Sequence, residues 1–247
     1  MGLPVFGFVT RHVAPLADGV LREAQWMEQC AETGRAVAHL WSGAPGLVVP
    51  RSYTRLEGWP AARERWAAMG RSALVRASGG GLVPLGPGVL NLTLVWRTDS
   101  AEPIRTDEIY RALCDGLAAA LRRLGVDCVV AEVPGSYCNG RFNLAAGGRK
   151  LAGTAQSWRR IAGQPVVLAH AMLITTADPE ALAAEANAFE RALGSGRHYR
   201  ADALTSIACA WVVAHRAAAP PPDLEANIQR VIAEQFARVV PPRVSSK

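Results

Sequence analysis

From Leu16 to Thr33, apolar side chains fall at Leu16, Val20, Ala24, Met27 and Ala31, and Gly34 follows. Spacings of three and four place them on one face of a helix, and a glycine just past the last turn suits its end. Two short apolar runs, Ala36 to Trp41 and Leu47 to Pro50, flank Ser42-Gly43-Ala44-Pro45-Gly46. They predict a hairpin or two neighbouring strands. Trp59 to Met69 predicts a short helix, and Ser72 to Arg76 a strand running into glycines. Val89 to Trp96 alternates Leu90, Leu92, Leu94 and Trp96 with Asn91, Thr93 and Val95, the period of a strand.

The segment from Thr106 to Leu124 carries Ile109, Leu113, Leu117, Ala120, Leu121 and Leu124 on one stripe. Thr106 is placed to cap this helix, Asp107 and Glu108 suit the positive end of its dipole, and Gly125 closes it. The stripe reads as core rather than as a binding face. Val126 to Val133 then predicts a strand. Asn143 to Ala146, Lys150 to Trp158 and Val166 to Thr175 predict consecutive antiparallel strands, joined by a Gly147-Gly148 turn and a loop through Gly163. Asp178 and Pro179 open a helix that reaches Leu193 and stops at Gly194. Leu204 to Val213 shows no decisive period. Pro220, Pro221 and Pro222 make a stiff linker before a last amphipathic helix, Asp223 to Val239. Strands in series followed by helices, without regular alternation, predict an α+β fold with a mixed, mostly antiparallel sheet packed with helices. Residues 1–219 are expected to form one domain, with 220–247 as a C-terminal helix packed on it.

Composition narrows the class. The chain has 247 residues, 50% apolar and 19% charged, the size and balance of one ordinary domain. Its uncharged stretches are broken by glycine, proline and polar residues, so no bilayer-spanning helix is expected. The apolar start from Leu3 to Val9 has no basic segment before it and no small-residue cleavage site behind it, so no signal peptide is expected and the cytoplasm is the expected location. Cys30, Cys114, Cys128, Cys138 and Cys209 are odd in number, scattered and without a C-x-x-C pair, a set that fits reduced thiols.

Of 27 basic residues only Lys150 and Lys247 are lysines, leaving 25 arginines. In a chain that writes its positive charge as arginine, an internal lysine calls for a reason, and a compact primary amine does what a guanidinium cannot. The arginines are spread along the chain with no basic block interleaved with aromatics, which argues against nucleic acid as a partner. The net charge of +6 leaves a preference for acidic protein partners open.

Two segments carry candidate chemistry. In Arg76-Ala77-Ser78-Gly79-Gly80-Gly81-Leu82-Val83, three glycines behind a strand allow close approach of backbone N–H groups to a ligand oxygen, with Arg76 available to add charge. The spacing is neither that of a phosphate loop nor that of a dinucleotide fingerprint. In Pro134-Gly135-Ser136-Tyr137-Cys138-Asn139-Gly140-Arg141-Phe142-Asn143-Leu144, followed by Gly147-Gly148-Arg149-Lys150, the internal lysine sits twelve residues after a cysteine in a glycine-flanked loop. A hairpin between them would bring ammonium and thiol together, and an ammonium favours the thiolate, a natural acyl carrier.

Together these segments resemble the catalytic domain of the biotin/lipoate protein ligase family, on its lipoate side. The glycine segment, with Arg76, Ser78 to Gly81 and Val83, then Gly88 and Asn91, is similar to the family's R-R-x-S-G-G-G-x-V and G-N-x-N. Gly148 to Lys150, Gly153, Ala155 and Gln156 are similar to its G-[KR]-K-x-x-G-x-A-Q. The resemblance runs from the first helix to His170 and on through Leu204-Thr205-Ser206-Ile207 to the final helix. It implies the class II biotin/lipoate ligase-like fold and attachment of an octanoyl or lipoyl group to the lysine of a lipoyl-carrier domain, a glycine cleavage H protein or a dehydrogenase acyltransferase subunit. It also implies Lys150 as a catalytic residue, with Arg76, Ser78, Gly79, Gly80, Gly81, Asn91, Gly148, Gly153 and His170 binding substrate. Cys138-Asn139-Gly140-Arg141-Phe142-Asn143-Leu144 is similar to the C-x-G-x-[YF]-[DN]-L loop of the amidotransferase branch, which implies a thioester on Cys138. Val75 stands where the first arginine of the pair is usual, Pro84-Leu85-Gly86 where Y-H-D is usual, and Asn143 where aspartate is common. Three readings follow: a Cys138 thioester acyltransferase with no bound cofactor, a ligase using ATP and Mg2+ through an acyl-adenylate, or a non-catalytic module that binds lipoyl domains.

Overall fold

The computed structural model describes residues 6–13, 16–98, 106–239 and 241. Residues Leu3 to Val5 of the apolar start, and Lys247, lie outside the described residues. The strands are β1 (Gly7–Val13), β2 (Val37–Gly43), β3 (Gly46–Pro50), β4 (Ser72–Arg76), β5 (Val83–Leu85), β6 (Val89–Arg97), β7 (Val129–Ala131), β8 (Asn143–Ala146), β9 (Arg149–Ile161) and β10 (Gln164–Ile174). The helices are α1 (Leu16–Thr33), α2 (Trp59–Ala68), α3 (Thr106–Arg122), α4 (Pro179–Leu193), α5 (Ile207–His215) and α6 (Leu224–Phe236).

Seven strands form one sheet in the order β1-β2-β6-β10-β9-β8-β7, and β4-β3-β5 form a second. The pairs β1/β2 and β3/β4 are parallel and the others antiparallel. This is the expected mixed, mostly antiparallel α+β fold. The runs expected as a hairpin or as two neighbouring strands part company: β2 lies in the large sheet and β3 in the small one. Every residue of β3 is buried, and a strand covered on both faces finds its partners by burial rather than by closeness in sequence. Strand β1, at the sheet edge, escapes the pattern analysis because its pairing to β2 is wholly tertiary. The segment expected as a strand from Val126 to Val133 contracts to β7, with Val126 turned into the core and Val129 64% exposed. The undecided stretch resolves into α5, whose cap Ser206 accepts a hydrogen bond from the Cys209 backbone N–H.

The large sheet has two covered faces. Leu90, Leu92, Leu94 and Trp96 of β6 face α3 and α6, joined there by the α3 stripe. The alternate residues face α1, α4 and the small sheet, so Val89 to Trp96 is buried at every position. On this second face β6 and β10 pair Thr93 with His170 and Asn91 with Met172, and β9 adds Ala155 and Gly153 opposite the same two β10 residues. Polar side chains in mid-sheet are thus held under helices, where each needs a partner.

No helix among the described residues is long and apolar enough to cross a membrane. Helix α6 joins the main core through Leu224, Ile228, Val231, Ile232 and Phe236. It approaches α3 at Gly116, where an added Cβ would stand 2.8 Å from the Phe236 ring. Phe236→Ala is expected to lower the unfolding free energy by about 3–5 kcal/mol while leaving one cooperative urea transition. An early separate transition would mean that the last helix unfolds on its own.

Candidate active site

Strand β9 delivers Lys150. The chain leaves β8 through Gly147 and Gly148, with φ of +55° and +74° that a tight two-residue turn requires. Two residues on, Lys150 is buried to 2% exposure and its ammonium donates to the carbonyls of Tyr137 (2.5 Å) and Cys138 (3.1 Å). The Lys150 carbonyl accepts from the Thr205 N–H at 2.9 Å, which docks the segment before α5 on the strand. A Cβ on Gly153 would sit 2.8 Å from Nζ, so the glycine three residues on vacates the space the ammonium occupies. Burial pushes the Lys150 pKa down to about 8, opposed by the charge of Cys138 and assisted by that of Arg76. Gly148 itself belongs to the turn, with open space beside it.

Cys138 stands in the loop that Lys150 pins from below. Its φ is +56°, an unusual conformation for a residue with a Cβ. The glycine segment packs directly on it: a Cβ on Gly80 would lie 3.2 Å from the Cys138 sulfur, and one on Gly81 3.2 Å from its nitrogen. Arg76 behaves differently from the expectation that it adds charge toward a ligand by itself. Its guanidinium donates to the carbonyls of Val48 (3.1 Å), Gly79 (2.8 Å) and Gly81 (2.7 Å), lacing the glycine loop to β3. All five cysteines are free thiols. Burial pushes Cys30 and Cys128 up to about 11 and Cys114 up to about 12, which leaves them protonated and inert near neutrality.

Behind the two loops a brace forms around Glu190 of α4, which is fully buried. Its carboxylate accepts from Tyr53 (2.6 Å), Tyr199 (2.6 Å) and Ser195 (2.5 Å). Tyr53 in turn accepts from the Leu82 N–H, just past the glycines, and Tyr199 packs edge-on against Tyr137.

From Cys138 and Lys150 a pocket of about 630 Å³, its mouth included, runs under the sheet. Its walls are mostly apolar, from Val20, Trp41, Val48, Leu85 and Met172, and Asn91 also lines it. Such a lining suits a small organic chain. His170 and Glu23 supply its polar side. His170 Nδ1 lies 2.8 Å from Glu23 Oε1 and His170 Nε2 lies 2.9 Å from Ser78 Oγ. A carboxylate only accepts, so Nδ1 donates to Glu23. Burial raises the Glu23 carboxyl, but His170 and the Thr93 hydroxyl outweigh it and hold its pKa below the usual range. Glu23 escapes the sequence analysis. The signal was there: it falls four residues after Gly19 and four before Met27, on the face of α1 that the structure buries. Tyr137, whose carbonyl receives the ammonium, left no signal beyond its neighbour Cys138.

On the other side of Cys138 a second, more open hollow of about 720 Å³ is lined by Gly79, Gly80, Asp107, Tyr110, Phe142 and Gln156, among others. The expected site residues therefore gather as follows. Lys150, Cys138, Arg76, Asn91, Gly153 and His170 border the apolar pocket, Cys138, Gly79 and Gly80 the open hollow, while Ser78 bonds to His170 and Gly81 packs on Cys138. Among the described residues no group of His, Cys, Asp and Glu is placed to hold a metal ion.

The lipoyl protein ligase A/B catalytic domain family matches residues 23–212. The uncharacterized protein H16_B0148 of Cupriavidus necator is 39% identical over 243 residues, covering 94% of this chain and 96% of that protein. The octanoyl-GcvH:protein N-octanoyltransferase of Kyrpidia tusciae is 36% identical over 203 residues, covering 78% of this chain and 68% of that one. Among solved structures, protein Ta0514 of T. acidophilum with bound lipoic acid superposes with a TM-score of 0.63 at 16% identity, over 94% of this chain and 86% of that chain, a likeness of fold. A family match over more than three quarters of the sequence, together with a full-length relative at 39% identity, carries the assignment: the chain belongs to the lipoyl protein ligase A/B catalytic domain family and is one of its enzymes.

Proposed function

We propose that the protein attaches an octanoyl or lipoyl group to the lysine of a lipoyl-carrier domain through a thioester on Cys138. The observation that supports this most is the position of Cys138: the thiol stands where the apolar pocket meets the open hollow, held in a left-handed conformation with the Lys150 ammonium on its own carbonyl. The other four thiols line neither space.

The acyl chain lies in the pocket with its carbonyl at Cys138. Cys138 gives up its proton as its sulfur bonds to the carbonyl carbon, the donor's leaving group departs with its bonding pair and takes up that proton, and a thioester remains. The acceptor amine then bonds to that carbon, the carbon–sulfur bond breaks, and its electron pair returns to sulfur. Arg76 and Lys150 hold two positive charges beside the reacting centre, where negative charge develops on sulfur and oxygen. The Kyrpidia relative is named for an octanoylated GcvH as donor and a protein as acceptor; by that likeness the carrier is a glycine cleavage H protein or a dehydrogenase acyltransferase subunit.

Incubation with an octanoyl donor and no acceptor is expected to add one acyl mass to the protein, removable by neutral hydroxylamine, and Cys138→Ser is expected to abolish both loading and transfer. Full transfer by Cys138→Ser with ATP, Mg2+ and free octanoate or lipoate would instead establish the acyl-adenylate route. Lys150→Arg is expected to cost about a hundredfold in kcat/KM, nearly as much as Lys150→Ala. The larger guanidinium has no room beside Gly153 and cannot place one donor on both carbonyls. Retention of most activity by the Arg variant, measured by octanoylation of an apo lipoyl domain, would remove the case for a primary amine here.

A further inference from the structure

With an acyl group on Cys138 and its chain in the apolar pocket, the approach that the described residues leave for the acceptor is the open hollow on the far side of the thiol. That hollow lies between the first turn of α3, the Cys138 loop and β9. Its walls are unlike those of the acyl pocket. Tyr110 and Phe142 stack face to face with ring centres 4.8 Å apart and planes 7° from parallel. Asp107 stands beside them. Gly140 and Gly79 present no side chain to the space and would leave open room even with a Cβ.

The hollow already holds an organic cation. The Arg141 guanidinium pairs with the Asp107 carboxylate at 3.2 Å and lies 5.2 Å from the centre of the Phe142 ring. A carboxylate next to aromatic faces is an environment that selects an organic cation over a phosphate. Both partners are accessible, the Arg141 side chain at 65% and that of Asp107 at 39%. An exposed pair of this kind is weak and easily exchanged.

We propose that this hollow is the entry for the acceptor lysine, with Asp107 receiving its ammonium in exchange for Arg141 and the Tyr110–Phe142 pair flanking its alkyl chain. The assignment rests on the acyl-transfer reading given above. A lysine side chain arrives protonated and is guided by Asp107 toward the thioester. It gives up two protons in the reaction, one to solvent before attack and one to the departing Cys138 sulfur. Its nitrogen forms the amide bond as the carbon–sulfur bond breaks. Arg141 is then a placeholder, and it competes with the substrate for one carboxylate.

Competition makes the test a matter of sign. If the Asp107–Arg141 pair served only to hold the loop, removing either partner would have the same effect. As an ammonium site, the two substitutions act in opposite directions. Protein loaded at Cys138 from octanoyl-N-acetylcysteamine is freed of donor and mixed with increasing apo lipoyl domain, and the loss of acyl mass from loaded protein is followed. Asp107→Asn is expected to raise the half-saturating acceptor concentration about threefold, and Arg141→Ala to lower it about twofold. Shifts in the same direction, or none, overturn the proposal. The same opposed shifts are read in the steady-state KM for the apo domain whatever carries the acyl group. Failure to load Cys138 therefore overturns the thioester alone, and the KM comparison still decides the entry.

Discussion

A buried ammonium organises this site. Lys150 is covered by protein on every side and its charge is answered by two carbonyls of a loop twelve residues earlier in the chain. A cation taken out of water must be hydrogen-bonded or it loses its proton. The Tyr137–Cys138 peptides are therefore bound to β9 as firmly as the charge is bound to them. The depression of its pKa to about 8 is the net of burial, the opposing charge of Cys138 and the assisting charge of Arg76, and corresponds to a cost on the order of 3 kcal/mol against an ordinary lysine. Unfolded chains hold the proton up to about pH 10.5, so between about 8 and 10.5 the unfolded state binds more protons and stability rises with pH. Below that window the fold bears the full penalty. A compact core gains nothing from such a charge, whereas the acyl transfer proposed above would.

Around the ammonium, the large sheet supplies a rigid floor and the loops a roof. Gly153, Ala155, Thr93 and His170 occupy adjacent strands on one face, fixed by register rather than by their own side chains. The roof is tied down at separate points: the glycine segment by Arg76, the Cys138 loop by Lys150, and both by the Glu190 brace through Tyr53 and Tyr199. The hydrogen-bonded ties end on backbone groups, and the Tyr199 tie ends on the Tyr137 ring. The loops can thus vary in outward side chains while their inner surface keeps its shape, the arrangement expected where a site depends on preorganisation.

Periodicity made most elements legible. Helix α1 begins and ends where its spacing and Gly34 place it, and the α3 stripe is core as expected. What escaped was decided at long range. The split of β2 and β3 between two sheets, and the edge strand β1, depend on partners distant in sequence. The site was legible where chemistry forced an unusual residue: one internal lysine among arginines, a glycine triplet, and a cysteine between glycines. It was illegible where an ordinary residue does an unusual thing. Glu23 looks like any surface acid on an amphipathic helix until β6 and β10 bring Thr93 and His170 beneath it. Asn91 and Thr93 alternate with leucines as the outward positions of a half-exposed strand would, yet both are buried, because α1 covers the face that water would otherwise reach.

The scarcity of lysine has a chemical meaning beyond the site. On the thioester reading proposed above, a protein that carries an acyl thioester beside an amine-accepting hollow exposes its own surface to the same electrophile. Arginine remains protonated at any physiological pH and does not attack a thioester. With Lys150 enclosed under the Cys138 loop and Lys247 as the single other lysine, the chain offers its own activated group almost no side-chain amines. On that reading, a surface written in arginine withholds from the thioester the amines that would divert it.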